Sequence, residues 1–447
     1  QNANDIYYGN VISPEQFDAV LAQGSTVITG DVVVTAEMLD KLANVKLIGG
    51  DLEVNSEVTF DNLEVVVGTI TTNKAVITPV LTSAGNLVLN ANLEAPELTA
   101  VTGEVNSYRQ EMFSKFMAPK LAFATSINVE GESTYSLNGD ILTVTDFKVS
   151  DAIVVTKDIK LSKVASLSDL VIADVPGVLS ISRSVFENIT YNGESVGDFI
   201  VSGVNTVEAI TANNLITANN IDISSNSAKS FEPSVNHGLV TMFFDNVKTI
   251  NGNLKISGNG ALKIIDTFNS LTTINGQLRI NDGGEDCTMF NAFNELVTLN
   301  DPTDDNSLYL DTEVRIKSDG ISAFEKLTHV NRFSQLHITS DTDVTIFENL
   351  ETVYSILPID FTNVTASNIN ALTNFKHFTG TGARLKLYMP REEADVAAYV
   401  NNISNVLAPF CEFHQDIEST YVSWRRYYEN RFEYLQNGTD LTLKRWL

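Results

Sequence analysis

A short pattern of apolar and polar positions recurs along the chain and predicts short β-strands that lie in phase. The clearest copies are VKLIGGDLEVNSE from Val45, VKTINGNLKISGN from Val247 and LTTINGQLRINDG from Leu271. Alternating apolar residues, such as Leu254 and Ile256, fall on one face of a strand and are expected to point into a core. The glycine before each strand (Gly50, Gly252, Gly276) is expected to adopt a positive φ at a corner.

The spacing of the copies predicts that the strands stack in parallel. The first apolar residue after the glycine recurs at intervals of 18, 17 and 18 residues, at Leu52, Ile70, Leu87 and Val105. Repeats of about this length are typical of leucine-rich-repeat and β-helical solenoids. Hairpins of a sandwich would need paired runs with two-residue turns, whereas one strand per repeat stacks directly on the next. We therefore expect a mainly β protein with a parallel β-solenoid, and tandem sandwiches are the alternative.

The start of the chain predicts a helix in ISPEQFDAVLAQG, which begins at Ile12. Its capping residues are Ser13 as N-cap, Pro14 at the first position, Gln16 closing a capping box, and Gly24 as C-cap. Phe17, Val20 and Leu21 form its apolar face. Such a helix would cover the open end of a solenoid core, where exposed strands would otherwise template aggregation.

The other end predicts a second helix, PREEADVAAYVNNISNVL from Pro390. Acids lie in its first turn, and its apolar stripe consists of Val396, Val400, Ile403 and Leu407. We thus expect an N-terminal tether and capping helix over 1–26, the solenoid over 27–390, and a helical, aromatic-rich cap over 391–447. The repeat weakens within 128–201, where two solenoid blocks are a candidate arrangement.

An aromatic group interrupts the early repeats in SYRQEMFSKFMAPK, which begins at Ser107. Tyr108, Met112 and Phe116 have the spacing of one helical face, which predicts a packed helical insertion, with a ligand pocket as the alternative.

The copies from Val247 and Leu271 resemble the receptor L-domain repeat, which forms the leucine-rich-repeat-like β-helix of receptor ectodomains and some microbial surface proteins. The resemblance is clearest from Val204 to Asn363. It implies a right-handed β-helix with an extracellular, adhesive or ligand-binding role and no catalysis. The chain lacks the cysteine-rich modules of receptor ectodomains, so a bacterial surface lipoprotein is the nearer likeness.

The net charge and the lengths of the apolar runs limit which kinds of partner the protein is expected to have. The 56 acidic and 29 basic residues give a formal net charge of −27, which disfavours nucleic acid. The absence of a long apolar run predicts no transmembrane segment. The start at Gln1 without methionine indicates a processed chain, with a lipid anchor upstream of it as one form of attachment. We expect an extracellular or cell-surface protein, anchored to the outer membrane if it is a bacterial lipoprotein.

The sequence assigns no catalytic, cofactor-binding or metal-ligating residue. It contains no HExxH, GxSxG, Walker or Rossmann motif. Cys287 and Cys411 form no CxxC pair, so we expect buried free thiols, with a single bridge as the alternative. Histidines such as His329 and His337 lack a metal-binding spacing.

Acidic residues gather in three turns and are the only candidates for metal binding or acid–base chemistry. They are Asp282, Glu285 and Asp286; Asp301, Asp304 and Asp305; and Asp341 with Asp343. We expect solvated turns at these positions, with calcium binding and then catalysis as the alternatives.

The tail from Tyr421 to Leu447 combines aromatic and basic residues and holds both tryptophans of the chain. A cap that packs on the last repeat is the expected role. The alternative is an aromatic patch that binds a ligand, formed by Trp424, Tyr427, Tyr428 and Tyr434.

These features together favour a non-catalytic binding or adhesion protein that presents a solenoid face to a protein or a polysaccharide. The alternative function is a β-helical carbohydrate-active enzyme, either a polysaccharide lyase or a glycoside hydrolase.

Overall fold

The computed structural model shows a mainly β protein with large parallel sheets. It describes residues 5–422 apart from 133, 136–140, 144, 167, 232–233, 285, 301–310, 341, 357–358, 363–368, 372–376, 379–384, 390–410 and 416–419. The chain divides into two compact units, Gln1–Val207 (unit 1) and Glu208–Leu447 (unit 2). The predicted meeting of two solenoid blocks within 128–201 stays a prediction. Among the described residues, none of the helices has the length and apolar character needed to cross a bilayer.

Helix α1 spans Pro14–Gln23 and confirms the prediction for the start of the chain. The Ser13 hydroxyl accepts a hydrogen bond from the Gln16 N–H, the Gln16 side chain closes the capping box, and Gly24 ends the helix with φ 65°. Phe17 and Val20 are buried as predicted, but Leu21 is 49% exposed, so its assignment to the buried face was wrong. A 3₁₀ helix follows at Ala36–Lys41.

The strands of unit 1 are, in chain order, β1 Ile6–Tyr7, β2 Val27–Ile28, β3 Val32–Val34, β4 Leu47–Ile48, β5 Leu52–Val54, β6 Val58–Thr59, β7 Val65–Thr72, β8 Val76–Ile77, β9 Ser83–Leu89, β10 Ala91–Glu94, β11 Ala100–Val101, β12 Glu104–Tyr108, β13 Met112–Met117, β14 Phe123–Ala124, β15 Ser126–Glu130, β16 Thr134–Tyr135, β17 Ile141–Thr143, β18 Thr145–Lys148, β19 Val154–Val155, β20 Ile159–Ser162, β21 Val164–Ala165, β22 Leu170–Ile172, β23 Val178–Ser182, β24 Asn188–Tyr191 and β25 Ser195–Ser202.

The strands of unit 2 are β26 Ala209–Thr211, β27 Thr217–Ser224, β28 Ser227–Phe231, β29 Ser234–Gly238, β30 Thr241–Phe243, β31 Thr249–Ile250, β32 Leu254–Ser257, β33 Ile264–Thr267, β34 Thr273–Ile274, β35 Leu278–Gly283, β36 Met289–Ala292, β37 Thr298–Leu299, β38 Thr312–Lys317, β39 Gly320–Ala323, β40 His329–Thr339, β41 Val344–Ile346, β42 Thr352–Ile356, β43 Ile359–Thr362, β44 Ile369–Ala371, β45 His377–Phe378, β46 Leu385–Met389, β47 Cys411–Gln415 and β48 Thr420–Val422.

Parallel pairing in unit 1 follows the predicted phase of the repeats. Leu52 pairs with Ile70, Ile70 with Leu87, and Leu87 with Val105. All four side chains are fully buried, so equivalent apolar positions form one column in the core. A second parallel sheet follows the order β21-β18-β13-β10-β8-β6. Among the described pairings of this unit, only the β16–β17 hairpin is antiparallel.

Unit 2 repeats the arrangement and confirms the central prediction of parallel stacking. Leu254 pairs with Leu278 and Ile256 with Ile280 between the parallel strands β32 and β35. Each of these side chains is buried. A second parallel sheet in this unit has the order β33-β36-β39-β41-β44.

The glycines before the strands are required for close packing and not for a positive φ, so that prediction was wrong. Gly50, Gly252 and Gly276 all lie outside the positive-φ region. A Cβ on Gly276 would lie 2.3 Å from Asn253 Oδ1 and 2.4 Å from the Gly252 carbonyl oxygen. The Gly276 N–H donates to that same carbonyl over 2.8 Å, so the backbones approach too closely for a side chain.

A column of stacked phenylalanine rings fills part of the unit 2 core. Its members are Phe244, Phe268, Phe293, Phe324 and Phe347, whose successive ring centroids lie 5.0, 5.4, 5.1 and 4.5 Å apart. The last four have φ between 50° and 63°, which is uncommon for a bulky residue. Stacked aromatic pairs contribute about 0.5–1.5 kcal/mol beyond area burial, and this offsets backbone strain at the corner.

The aromatic group after Ser107 is not helical, so the prediction of a helical insertion was wrong. Tyr108 ends β12, and Met112 and Phe116 lie in β13. Phe116 is buried, whereas Tyr108 and Met112 are exposed. Parallel pairing with neighbouring repeats overrode the local helical spacing, since β13 pairs with both β10 and β18.

We expect Gly276→Ala to lower the free energy of unfolding by about 1–3 kcal/mol, because the added methyl group would push neighbouring backbones apart. Urea unfolding followed by circular dichroism measures the effect. The matched control is Gly320→Ala, where the nearest atom to an added Cβ is Thr342 Oγ1 at 3.5 Å. Equal destabilisation by the two substitutions would contradict the close-packing explanation.

Candidate functional site

Several sequence-predicted site residues lie outside the residues whose side chains the structure describes. They are the aromatic patch Trp424, Tyr427, Tyr428 and Tyr434, the acids Glu285, Asp301, Asp304, Asp305 and Asp341, the thiol of Cys411, and the helix predicted from Pro390. Their assignments stay predictions.

Asp282 does not lie in a solvated turn, so that interpretation was wrong for this residue. Its side chain is 6% exposed and accepts hydrogen bonds from the Asn259 backbone N–H over 2.6 Å and from Asn259 Nδ2 over 2.7 Å. Asn259 Oδ1 in turn accepts from the backbone N–H and Nδ2 of Asn226. Burial raises the pKa of Asp282 to about 7. The residue is therefore the end of a buried polar ladder, inaccessible to a substrate.

The other acids of these clusters that the structure describes behave as predicted. Asp286 and Asp343 are exposed. No group of three or more His, Cys, Asp or Glu side chains in the described part of the chain is arranged to hold a metal ion.

Cys287 is a buried free thiol, as predicted. Its sulfur lies 3.5 Å from Ser318 Oγ and 3.6 Å from the Met289 carbonyl oxygen. Burial raises the pKa of the Cys287 thiol, which disfavours the reactive thiolate.

His329 and His337 both lie in β40 but engage separate polar neighbours. His329 Nε2 lies 2.6 Å from Asn331 Oδ1, and His337 Nε2 lies 3.4 Å from Thr339 Oγ1.

A groove of about 750 Å³ lies along the second parallel sheet of unit 1 and is the candidate functional site. It crosses β8, β10, β13, β18 and β21, so with strands about 4.8 Å apart its length is roughly 19 Å. One wall is a row of register partners, Ile77, Glu94, Met117 and Lys148. A second row of lining residues, the proline wall, consists of Pro79, Pro96 and Pro119, each placed two residues after a member of the first row. Stacked repeats thus line the groove with like positions.

The groove is largely apolar and balanced in charge. Its charged lining consists of Glu94, Lys115, Asp146 and Lys148. Lys115 Nζ lies 3.1 Å from Glu94 Oε1, and both side chains are 38% exposed, so the pair contributes only about 0–1 kcal/mol. Lys148 Nζ lies 3.6 Å from Asp151 Oδ1. An elongated groove of this size can hold part of an extended polymer and orient it through a few polar groups.

The sequence contains a signal for the groove that the alternation of apolar residues does not reveal. TPVL from Thr78, APEL from Ala95 and APKL from Ala118 repeat the same proline phase. That phase would have predicted a row of prolines. It would not have predicted a concave surface, because the angle between the sheet and the following turn is a tertiary property.

We expect Asp282 to make stability depend on pH around neutrality. Its pKa is about 7 in the folded protein against an ordinary value of 3.8, so folding favours the protonated carboxyl. This stabilisation is present below the ordinary pKa and is lost as pH rises through about 7. Between about pH 4.5 and about pH 8.5, the free energy of unfolding of the native chain should fall by roughly 3 kcal/mol more than that of Asp282→Asn.

Urea titrations at the two pH values test this prediction, with Asp286→Asn as the control for an exposed acid in the same segment. A pH dependence that Asp282→Asn leaves unchanged would show that the carboxyl stays ionised in the fold.

Comparisons with protein-family models, with curated proteins and with solved structures found no match to this chain.

Proposed function

We propose that this protein is a non-catalytic binding or adhesion protein whose unit 1 groove holds an extended segment of a protein or polysaccharide. One observation carries the proposal: neighbouring strands of one parallel sheet line a concave, mostly apolar groove with a volume of about 750 Å³. Concave apolar surfaces with a few placed polar groups are the usual form of binding sites.

The apolar side chains that line the groove support a binding function. Ile77 is 39% exposed in the groove, whereas Val76, the other residue of β8, is buried. Met117 and the proline wall add further apolar surface. Methionine adapts its shape to different partners, which suits a surface that accepts a polymer segment.

We propose further that the parallel sheets of each unit close into a right-handed β-solenoid of the leucine-rich-repeat or receptor L-domain type. The glycine phase and the parallel register support this proposal. In unit 1, α1 would cover the first repeat, which is supported by the complete burial of Phe17. The proposed C-terminal cap rests on the apolar stripe of the sequence alone.

The proposed setting is extracellular or at a cell surface, in the manner of a bacterial surface lipoprotein. The acidic composition suits such a setting, because a net charge of −27 opposes association between copies of the chain.

We expect Met117→Arg to weaken ligand binding at least about tenfold, because a guanidinium in the apolar groove must lose water when the ligand covers it. Capture by arrays of glycans and of extracellular proteins identifies the ligand, and titration then measures the affinity. The matched control is Met112→Arg, which places the same charge on the same strand at an exposed position outside the groove.

Equal affinity of the native chain and Met117→Arg would remove the groove from the proposed function. Cleavage of a captured glycan by the purified protein would contradict the non-catalytic proposal and favour the carbohydrate-active enzyme.

A further inference from the structure

A second surface, in unit 2, carries a local positive charge, which is opposite in sign to the net charge of the protein. It occupies the outward positions of the neighbouring strands β27, β32, β35 and β38. Its charged members are the cations Lys255, Arg279, Arg315 and Lys317 and the acids Asp222 and Glu313. We name these six residues the cationic strip. Four cations against two acids make it locally positive, in a chain with a net charge of −27.

Strand register holds the strip together. Asp222 pairs with Lys255, Lys255 with Arg279, and Arg279 with Glu313, so these side chains follow one another across the sheet. Arg315 lies two positions farther along β38, beside Asn281 of β35. With strands about 4.8 Å apart, the charges repeat at a short and regular interval.

Two of the cations are available for a ligand. Arg279 Nη2 lies 3.2 Å from Glu313 Oε2, which anchors that guanidinium on its neighbour. Within the described part of the chain, neither Lys255 nor Arg315 forms an ion pair. Both side chains are half-buried by their neighbours, which limits the conformational entropy that they lose on binding.

The residues around the cations are polar. Asn253, Ser257, Gln277 and Asn281 occupy the flanking outward positions of β32 and β35 and of the turns before them. Amide and hydroxyl groups both donate and accept hydrogen bonds, and so they complement the hydroxyl groups of sugars. A guanidinium such as that of Arg315 binds a carboxylate or sulfate through two parallel N–H donors.

The composition of the cationic strip and its neighbours indicates which class of partner binds there. Protein partners are anchored by apolar and aromatic side chains at the centre of an interface, whereas the outward positions named above are all polar. Nucleic acid binding depends on neutralising many phosphates, and two free cations on a protein of net charge −27 supply little of that. Beyond about 8 Å, physiological salt screens the distant acids, so the local positive charge decides what binds here.

We propose that the cationic strip binds an acidic polysaccharide, with Lys255 and Arg315 contacting its carboxylate or sulfate groups and the neighbouring amides contacting its hydroxyls. The inference rests on the proposed binding function and names one ligand class for it, at a surface separate from the groove.

The test measures binding of the full chain to polygalacturonate, to sulfated dextran and to neutral dextran at low salt and at physiological salt. The double variant Lys255→Gln with Arg315→Gln should lose roughly tenfold or more of its affinity for the acidic polysaccharide. The control is Lys46→Gln with Lys263→Gln, which changes the net charge equally at exposed lysines outside the strip. It should bind within about twofold of the native chain. Circular dichroism verifies that both variants are folded.

Arg315→Lys provides a second measurement, because it keeps the charge and removes the paired donors. It should bind more weakly than the native chain and more tightly than the double variant. The ratio of affinities for polygalacturonate and sulfated dextran identifies the anionic group.

Three outcomes would overturn the inference: no binding of either acidic polysaccharide, equal losses in the strip and control variants, or equal binding of polyglutamate that the strip variant also loses. The last would show that the strip recognises carboxylates on a polypeptide. Capture of a protein or a neutral glycan that Met117→Arg abolishes would leave the proposed function standing after any of them.

Discussion

Hydrogen bonds between equivalent positions of consecutive repeats hold this protein in register. In unit 1 the Gly50 N–H donates to the Gly30 carbonyl oxygen over 3.0 Å, and the Gly68 N–H donates to that of Gly50 over 3.0 Å. The residue after the glycine adds a side-chain bond, since Asp31 Oδ1 accepts from the Asp51 N–H over 2.8 Å. At these positions the contact leaves no space for a Cβ, so the glycine fixes how the following strand is aligned. A shift by one residue would turn the whole apolar set away from the core.

The same register places equivalent residues of successive repeats side by side in rows, and these rows form the surfaces of the protein. Since like positions stack, a small preference at one position of the repeat becomes a continuous feature across several strands. Prolines two residues after the strand end become a wall of the groove, and lysine or arginine between two buried residues becomes the cationic strip. The stacked phenylalanines are the internal counterpart, in which one ring per repeat fills the corner of the core.

Buried polar groups show where regular stacking is interrupted. Asp282 lies near the end of β35 and is buried. The backbone N–H and Nδ2 of Asn259 donate to its carboxyl group, and Asn226 in turn donates to Asn259 Oδ1. Desolvation of this carboxylate outweighs the hydrogen bonds from Asn259, so the pKa of Asp282 is raised to about 7 and the ionised form opposes folding at high pH.

Periodicity in the sequence determined the parallel stacking, the burial of Leu254 and Leu278, and the capped helix over Pro14–Gln23. These features depend on alternation, spacing and capping, which are local properties. Only the tertiary structure decided that β13 is a strand and that Asp282 is buried. It also decided that the backbone of Gly252 lies too close to Gly276 for a side chain to fit there. It further decided which residues line the groove and the grouping of Lys255 with Arg315. Each of these features depends on residues of different repeats that come together only when the repeats stack. A local sequence pattern does not determine how far apart such residues lie in space.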